Sequence, residues 1–578
     1  MANGSMAKAN PNSPLTKALR LGIRPFLFAA LFSLVTNLLY LALPIYTMQI
    51  YSRVLTSQSH ATLYVLTFGV LAAFVVSGVI DNYRARILIN YGKLLDERTS
   101  GQVFSALFDA VVRGDTAARS QALRDLDTFR QTITGSAVSV MFDLPWIPIF
   151  TLMLFYIDPV IGMLTLCGGV VLFGLALLQD RATRAGLKDA NNAALQSYAF
   201  TDNTLRNGEV VRALGMLPSL GRQWTKFRVT TIERSATASQ QASIYSNLIR
   251  GVRMALQILV VGVGALLIIE GKIGAGVLFA NMILSARALA PIERIVGTWS
   301  ALIAGVQAHE RLQTLLNAYE PPAPVTLLPR PLGLLSVENV SFAPRGTQIV
   351  ILNGVSFALQ PGETMGVVGP SGAGKSTLTR LLVGVWKPGV GSVRLDGADV
   401  HQWDRDSFGR HVGYLPQDIE LFSGTIRDNI ARFRPDVADE DVVKAAKLAG
   451  AHEMILRQPK GYDSELGEGG AVLSVGQRQR VGLARALFGD PAFVVLDEPN
   501  AALDAQGETA LMAALDALKA AKATVVIVSH KPNVFRTADK MLVLKNGRVE
   551  MFGPSDQVMT KLMQPAAAIA PAPAAAKA

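Results

Sequence analysis

Residues 364–377, Thr364-Met-Gly-Val-Val-Gly369-Pro370-Ser371-Gly372-Ala373-Gly374-Lys375-Ser376-Thr377, read as a β-branched run, a glycine-rich turn and the opening of a helix. The turn fits the spacing G-x-x-x-x-G-K-[ST], whose main-chain N–H groups cradle phosphates. Glycine is needed there because the backbone must approach the phosphate oxygens with no Cβ in the way, and the helix N-terminus behind the turn adds a favourable dipole. Lys375 is expected on the β- and γ-phosphates and Ser376 on Mg²⁺, so residues 369–377 form a candidate ATP site.

A second apolar run, Phe493-Val-Val-Leu496, ends in Asp497-Glu498. Side chains alternate along a strand, which separates the two carboxylates: Asp497 is expected to hold Mg²⁺ through water, and Glu498 to face the attacking water as general base. Short β-rich runs at 336–342, 364–368, 393–395, 493–496, 524–529 and 541–545 alternate with helical segments. An α/β domain over 332–563 is the expectation.

Between these landmarks lies Leu473-Ser474-Val475-Gly476-Gln477, which resembles the Leu-Ser-Gly-Gly-Gln signature of the ABC transporter ATPases. The resemblance extends to Gln417 in Tyr-Leu-Pro-Gln, Asp504 in Ala-Leu-Asp, His530 in Val-Ser-His and Glu468 in Glu-Leu-Gly-Glu-Gly-Gly. It implies that Gln417 joins Ser376 and Asp497 around Mg²⁺, that His530 acts catalytically beside Glu498, and that Ser474, Gly476, Gln477 and Asp504 contact ATP. It also implies a homodimer with two composite sites, each ATP lying between the phosphate loop of one copy and the signature of the other. Two positions depart from the pattern. Val475 replaces a signature glycine, and Pro344 stands where the family places an adenine-stacking aromatic; nearby Phe342 is expected in the core.

The first half has a different character. Of 578 residues 50% are hydrophobic and only 17% charged, with a mean hydropathy of +0.32. Soluble proteins carry about 25% charged residues, so a purely soluble enzyme is disfavoured. Six apolar windows, 25–46, 62–80, 137–156, 160–179, 252–270 and 273–291, approach the roughly 20 residues that cross a bilayer as helix. Short connections alternate with two long ones, 82–135 and 180–250, holding eight and ten Lys or Arg. Basic loops stay inside, which predicts a multi-pass membrane protein with both termini and the ATPase domain cytoplasmic. The same loops account for the net charge of +11 without invoking nucleic acid. The helices are expected to run on into the cytoplasm and to turn back near 112–119 and 198–208. The single cysteine, Cys167, sits in an apolar run and forms no disulfide within the chain.

The predicted layout is therefore an N-terminal cytoplasmic segment (1–24), a six-helix transmembrane domain (25–319), a stiff Pro-rich linker (320–331), the ATPase domain (332–563) and a disordered Ala/Pro tail (564–578). Three membrane-half strings, Leu43-Pro-Ile-Tyr-Thr-Met-Gln-Ile-Tyr-Ser-Arg-Val-Leu55, Phe142-Asp-Leu-Pro-Trp146 and Asn207-Gly-Glu-Val-Val-Arg-Ala-Leu-Gly215, resemble the type I secretion ATPases. With about 24 residues before the first span, the protease-exporter branch fits better than branches with an N-terminal peptidase-like domain. The resemblance implies a type I ABC exporter fold, a place in the bacterial inner membrane, a polypeptide substrate, a periplasmic adaptor and an outer-membrane tunnel, with membrane lipids as surroundings. A lipid or drug exporter of the same architecture, or a non-hydrolytic ATP-gated channel, are the alternatives. Asp143, an acid within a spanning window, either faces a cavity on the substrate path or sits at the interface beside an Arg. Pro145 and Pro148 should kink its helix.

Overall fold

A computed structural model of the chain describes residues 14–114, 121–319, 327–344, 347, 349–470 and 472–563. The tail 564–578, most of the N-terminal segment, linker residues 320–326 and positions 115–119 of the first expected turn lie outside the described residues, as does the side chain of Glu468. Two compact units result, Met1–Glu320 and Pro321–Ala578.

The first unit contains six helices long and apolar enough to span a membrane: α1 (Ile23–Ser57), α2 (His60–Val112), α3 (Ala122–Ile157), α4 (Pro159–Arg206), α5 (Leu217–Ile269) and α6 (Ala275–Gly297). Helix α7 (Trp299–Ala318) follows. The 53 residues of α2 and of α5 measure about 80 Å at 1.5 Å per residue, far more than the roughly 30 Å of bilayer hydrocarbon. Local chemistry fixes the starts. Ser59 caps α2 by accepting from the Thr62 N–H, and Asp158 caps α4 by accepting from Val160 and Ile161, with Pro159 at the first position. Helix α4 runs to Arg206 and the chain turns over 207–216, C-terminal to the expected 198–208, because the breakers Gly208, Gly215 (φ +63°) and Pro218 lie there. In α3 the break comes at Leu144-Pro145, between Ser136–Asp143 and Trp146–Ile157; Pro148 falls in the first turn of the second piece, where its missing N–H costs nothing.

Lipid tails give helices no hydrophobic reason to associate, so packing depends on close approach. A Cβ on Gly168 would come within 2.5 Å of Leu256, on Gly264 within 2.3 Å of Leu278, and on Gly276 within 2.6 Å of the Met48 carbonyl. That last contact lies one turn from a π-helical segment of α1, Ile50–Val54, whose Tyr51 stacks on Phe279 of α6 at 4.3 Å.

The second unit carries strands β1 (Leu335–Phe342), β2 (Leu352–Leu359), β3 (Thr364–Val368), β4 (Val390–Leu395), β5 (Ala398–Asp399), β6 (Val412–Leu415), β7 (Phe493–Asp497), β8 (Thr524–Val528), β9 (Lys540–Lys545) and β10 (Arg548–Pro554). A four-stranded antiparallel sheet has the order β2-β1-β4-β5, and a six-stranded sheet the order β10-β9-β3-β8-β7-β6. In the latter β9, β3, β8, β7 and β6 are parallel and β10 closes one edge antiparallel. Every residue of β7 and β8 is buried, as a parallel sheet covered on both faces requires. Helices α8 (Lys375–Leu382), α9 (Val475–Leu487) and α10 (Ala505–Ala520) matter most for the site.

Candidate nucleotide site

Parallel strands in register deliver their C-terminal ends to one edge of the sheet, where open α/β sheets bind ligands. Val528 of β8 lies level with Val367 of β3 and with Asp497 of β7, and Leu415 of β6 with Leu496. The phosphate loop after β3, Asp497 at the end of β7 with Glu498 just beyond it, His530 after β8 and Gln417 after β6 therefore converge.

The loop is shaped by its glycines. Gly372 and Gly374 have φ of +79° and +99°, and a Cβ on Gly369 would lie 2.2 Å from the Leu544 carbonyl. Lys375 is buried, and its Nζ donates to the carbonyls of Gly369 (2.9 Å) and Pro370 (3.1 Å). Ser376 Oγ lies 3.5 Å from Gln417 Oε1. Thr379, one turn further along α8, donates to Asp497 Oδ2 at 3.2 Å. The other Asp497 oxygen is buried without a hydrogen-bond partner among the described residues, and burial raises the carboxyl pKa. A buried acceptor left open beside a hydroxyl and an amide oxygen suits a hard divalent cation.

Glu498 takes φ of +50°, a conformation that costs a side-chain-bearing residue about 1–2 kcal/mol. Its N–H is tied to the Val528 carbonyl at 2.9 Å, and Oε1 stands 3.5 Å from His530 Nε2. Gln479, which sequence reasoning passed over, is buried in α9 and donates to the carbonyls of Glu498 (3.3 Å) and Pro499 (2.9 Å). Its signal was a polar residue one turn before buried Leu483, on the packed face of an amphipathic helix. Ser529 supports the same turn by donating to Asn500 Oδ1 at 3.0 Å.

The signature residues stand apart. Ser474 and Gln477 form a capping box at the start of α9, the Gln477 N–H on Ser474 Oγ and the Ser474 N–H on Gln477 Oε1. Val475 is exposed. Among the described residues no hydrogen bond or ion pair joins Ser474, Gly476 or Gln477 to residues 369–377. Asp504 caps α10 by accepting from Gly507 and pairs with Arg480; the cap, then the arginine, hold its carboxyl below the usual range. Phe342 stacks on Trp386 at 5.1 Å and Arg380 lies over the same indole, so Phe342 is committed to packing while Pro344 heads a turn.

In the membrane unit Asp143 has both a cavity and arginine neighbours. It lines a cavity of about 40 Å³, and it is paired: Oδ1 accepts from Ser33 (2.9 Å) and Asn37 (3.3 Å) and lies 3.7 Å from Arg84, while Oδ2 lies 3.6 Å from Arg294.

The ABC transporter family model matches residues 352–501, and the ABC transporter transmembrane region model matches 26–291. The chain is 41% identical over 559 residues to the type I secretion system ATP-binding protein PrsD of Rhizobium meliloti, covering 96% of this chain and 95% of that one. It is 31% identical to the cyclolysin secretion/processing ATP-binding protein CyaB of Bordetella pertussis, over 92% and 75% of the two chains. A solved structure of a bacterial Atm1-family ABC exporter with ATP bound has the same fold, with a TM-score of 0.81 at 23% identity over 94% of this chain and 97% of that one.

Proposed function

This chain belongs to the ABC transporter family, as the ATPase component of a type I secretion system, and on that premise we propose that it exports an unfolded polypeptide across the bacterial inner membrane. It is a multi-pass membrane protein that couples ATP hydrolysis to transport. The convergence of Asp497, Glu498 and His530 at one sheet edge carries the reading of the hydrolytic site.

In that reading the phosphate loop amides and Lys375 bind the β- and γ-phosphates, Lys375 exchanging its two loop carbonyls for phosphate oxygens. Ser376, Gln417 and Asp497 would hold Mg²⁺, which would supply charge neutralisation at the phosphates. Glu498 accepts a proton from the attacking water, and His530, next to it, steadies the carboxylate and the γ-phosphate. The separation of Ser474, Gly476 and Gln477 from their own phosphate loop supports two composite sites in a homodimer: each α9 N-terminus would face the ATP of the partner subunit, with Asp504 at the seam. ATP binding then closes the dimer and hydrolysis opens it. Basic connections support cytoplasmic termini and ATPase unit, and the secretion relatives support a periplasmic adaptor and an outer-membrane tunnel as partners.

A general base contributes about 10²–10⁴ to rate. Glu498→Gln is expected to lower ATP turnover of the purified full-length protein by at least that lower bound while ATP still binds; a wild-type rate would refute the assignment. For the membrane unit, we place Asp143 at a gate on the polypeptide path, latched by Arg84 and Arg294. Asp143→Ala is expected to abolish secretion in cells while purified protein keeps hydrolysing ATP; unchanged secretion would exclude the gate.

A further inference from the structure

The cavity beside Asp143 holds more positive charge than its own carboxylates balance. Three guanidinium groups, of Arg84, Arg287 and Arg294, line it together with two carboxylates, of Asp81 and Asp143. Arg84 pairs with both acids and Arg294 with Asp143. Arg287 has no carboxylate within ion-pair distance among the described residues; its guanidinium lies 3.6 Å over the ring of Tyr40. A second, independent sign of a missing partner is Thr36, which is 2% exposed, lines the same cavity and has a hydroxyl with no hydrogen-bond partner. An uncompensated Arg and an orphan hydroxyl in a spanning segment are costly, and such groups mark ligand sites.

Depth and access narrow the ligand. Arg84 lies four residues beyond the apolar window 62–80, Arg294 three beyond the window 273–291, and Arg287 four before that window's end. Thr36 and Asp143 lie inside the windows 25–46 and 137–156, so the cavity reaches from the headgroup boundary, where Arg84 and Arg294 stand, into the span. The Arg294 side chain is 56% exposed and that of Asp143 13%, so the cavity leads inward from the surface. At about 40 Å³ it accommodates roughly three waters, or the oxygens of one phosphate. Basic pockets between spanning helices at the membrane face bind anionic headgroups.

We propose that this cavity is a binding site for the phosphate of an anionic phospholipid, with Arg287 and Thr36 Oγ1 as its specific contacts and the paired Asp143 as the inner wall. The site rests on the six-span reading of the chain and not on the identity of its cargo.

The test is native mass spectrometry of the full-length protein in detergent, titrated separately with phosphatidylglycerol, phosphatidylcholine and inorganic phosphate. Phosphatidylglycerol is expected to be retained at least tenfold more tightly than phosphatidylcholine, and Arg287→Gln to remove that preference. Thr36→Val, nearly isosteric and compatible with a helix in lipid, is expected to weaken phosphatidylglycerol several-fold and serves if Arg287→Gln fails to fold. Equal retention of the two lipids, or a preference unchanged in Thr36→Val and Arg287→Gln, would overturn the proposal. Displacement of the bound lipid by millimolar inorganic phosphate would assign the site to a free anion and overturn the lipid.

Discussion

Replacing Asp497 by Asn should make the nucleotide-free protein more stable and inactive at the same time. Asp497 is 1% exposed; one oxygen accepts from Thr379 and the other has no hydrogen-bond partner among the described residues. Burial is the leading cause of its raised pKa. Because the folded-state pKa lies above the unfolded value, the native state keeps a proton over a pH window in which the unfolded chain has released it. Stability therefore falls as pH rises through that window, and above it the fold bears a buried, half-satisfied charge. A buried acceptor left unsatisfied costs about 1–3 kcal/mol, more when it is charged, and Asn keeps an oxygen for Thr379 while removing the charge. For a unit of 150–250 residues, that corresponds to a rise of about 2–12 °C in Tm. The assay is scanning fluorimetry of full-length protein in EDTA without nucleotide, from pH 5 to pH 8. The variant should melt higher at pH 8, the gap should narrow toward pH 5, and added Mg²⁺ and ATP should stabilise the wild type more than the variant. A variant that melts at or below wild type at pH 8, or a gap independent of pH, would refute the reasoning.

Two further residues invite tests. Gln479→Ala should lower kcat for ATP by roughly 10- to 100-fold with KM little changed, because it frees the main chain that aims Glu498 without touching the phosphate loop; a change in KM alone would point to a different role. Arg432 is half-buried, desolvation pushes its pKa down to about 10, and it donates to the carbonyls of Gly409, Val412, Arg485 and Ala486, pinning the last turn of α9 to the base of β6. Arg432→Met leaves those carbonyls unpaired and should destabilise by about 3 kcal/mol or more, with Arg432→Lys recovering part of the loss in the same melting assay.

The proposed hydrolytic site was legible because phosphate chemistry imposes spacing: 369–377, Glu498 and His530 each follow a strand, Asp497 ends one, and parallel strands bring such positions to one edge. Gln479 and Arg432 act through main-chain carbonyls of residues remote in sequence, and no local pattern encodes that. In the membrane half hydropathy marked six spans, since crossing a bilayer demands long apolar runs. Their interruptions were harder to read. The turn at 207–216 follows its two glycines and the Pro218 just beyond it, whereas the π segment Ile50–Val54 contains neither residue type and packs against α6. The partners of Asp143 come from α1, α2 and α6, so its pairing depends on tertiary structure alone.

The left-handed backbone at Glu498 bears on how this sequence can drift. A glycine there would relax the turn at once, so selection for stability alone pulls position 498 away from the acid that the proposed general-base step needs. Chains that lose their cargo should shed this carboxylate early while their phosphate loop survives. A related sequence with Gly369–Ser376 intact and Gly or Asn at the position of Glu498 would be expected to fold well, bind nucleotide and turn over none of it.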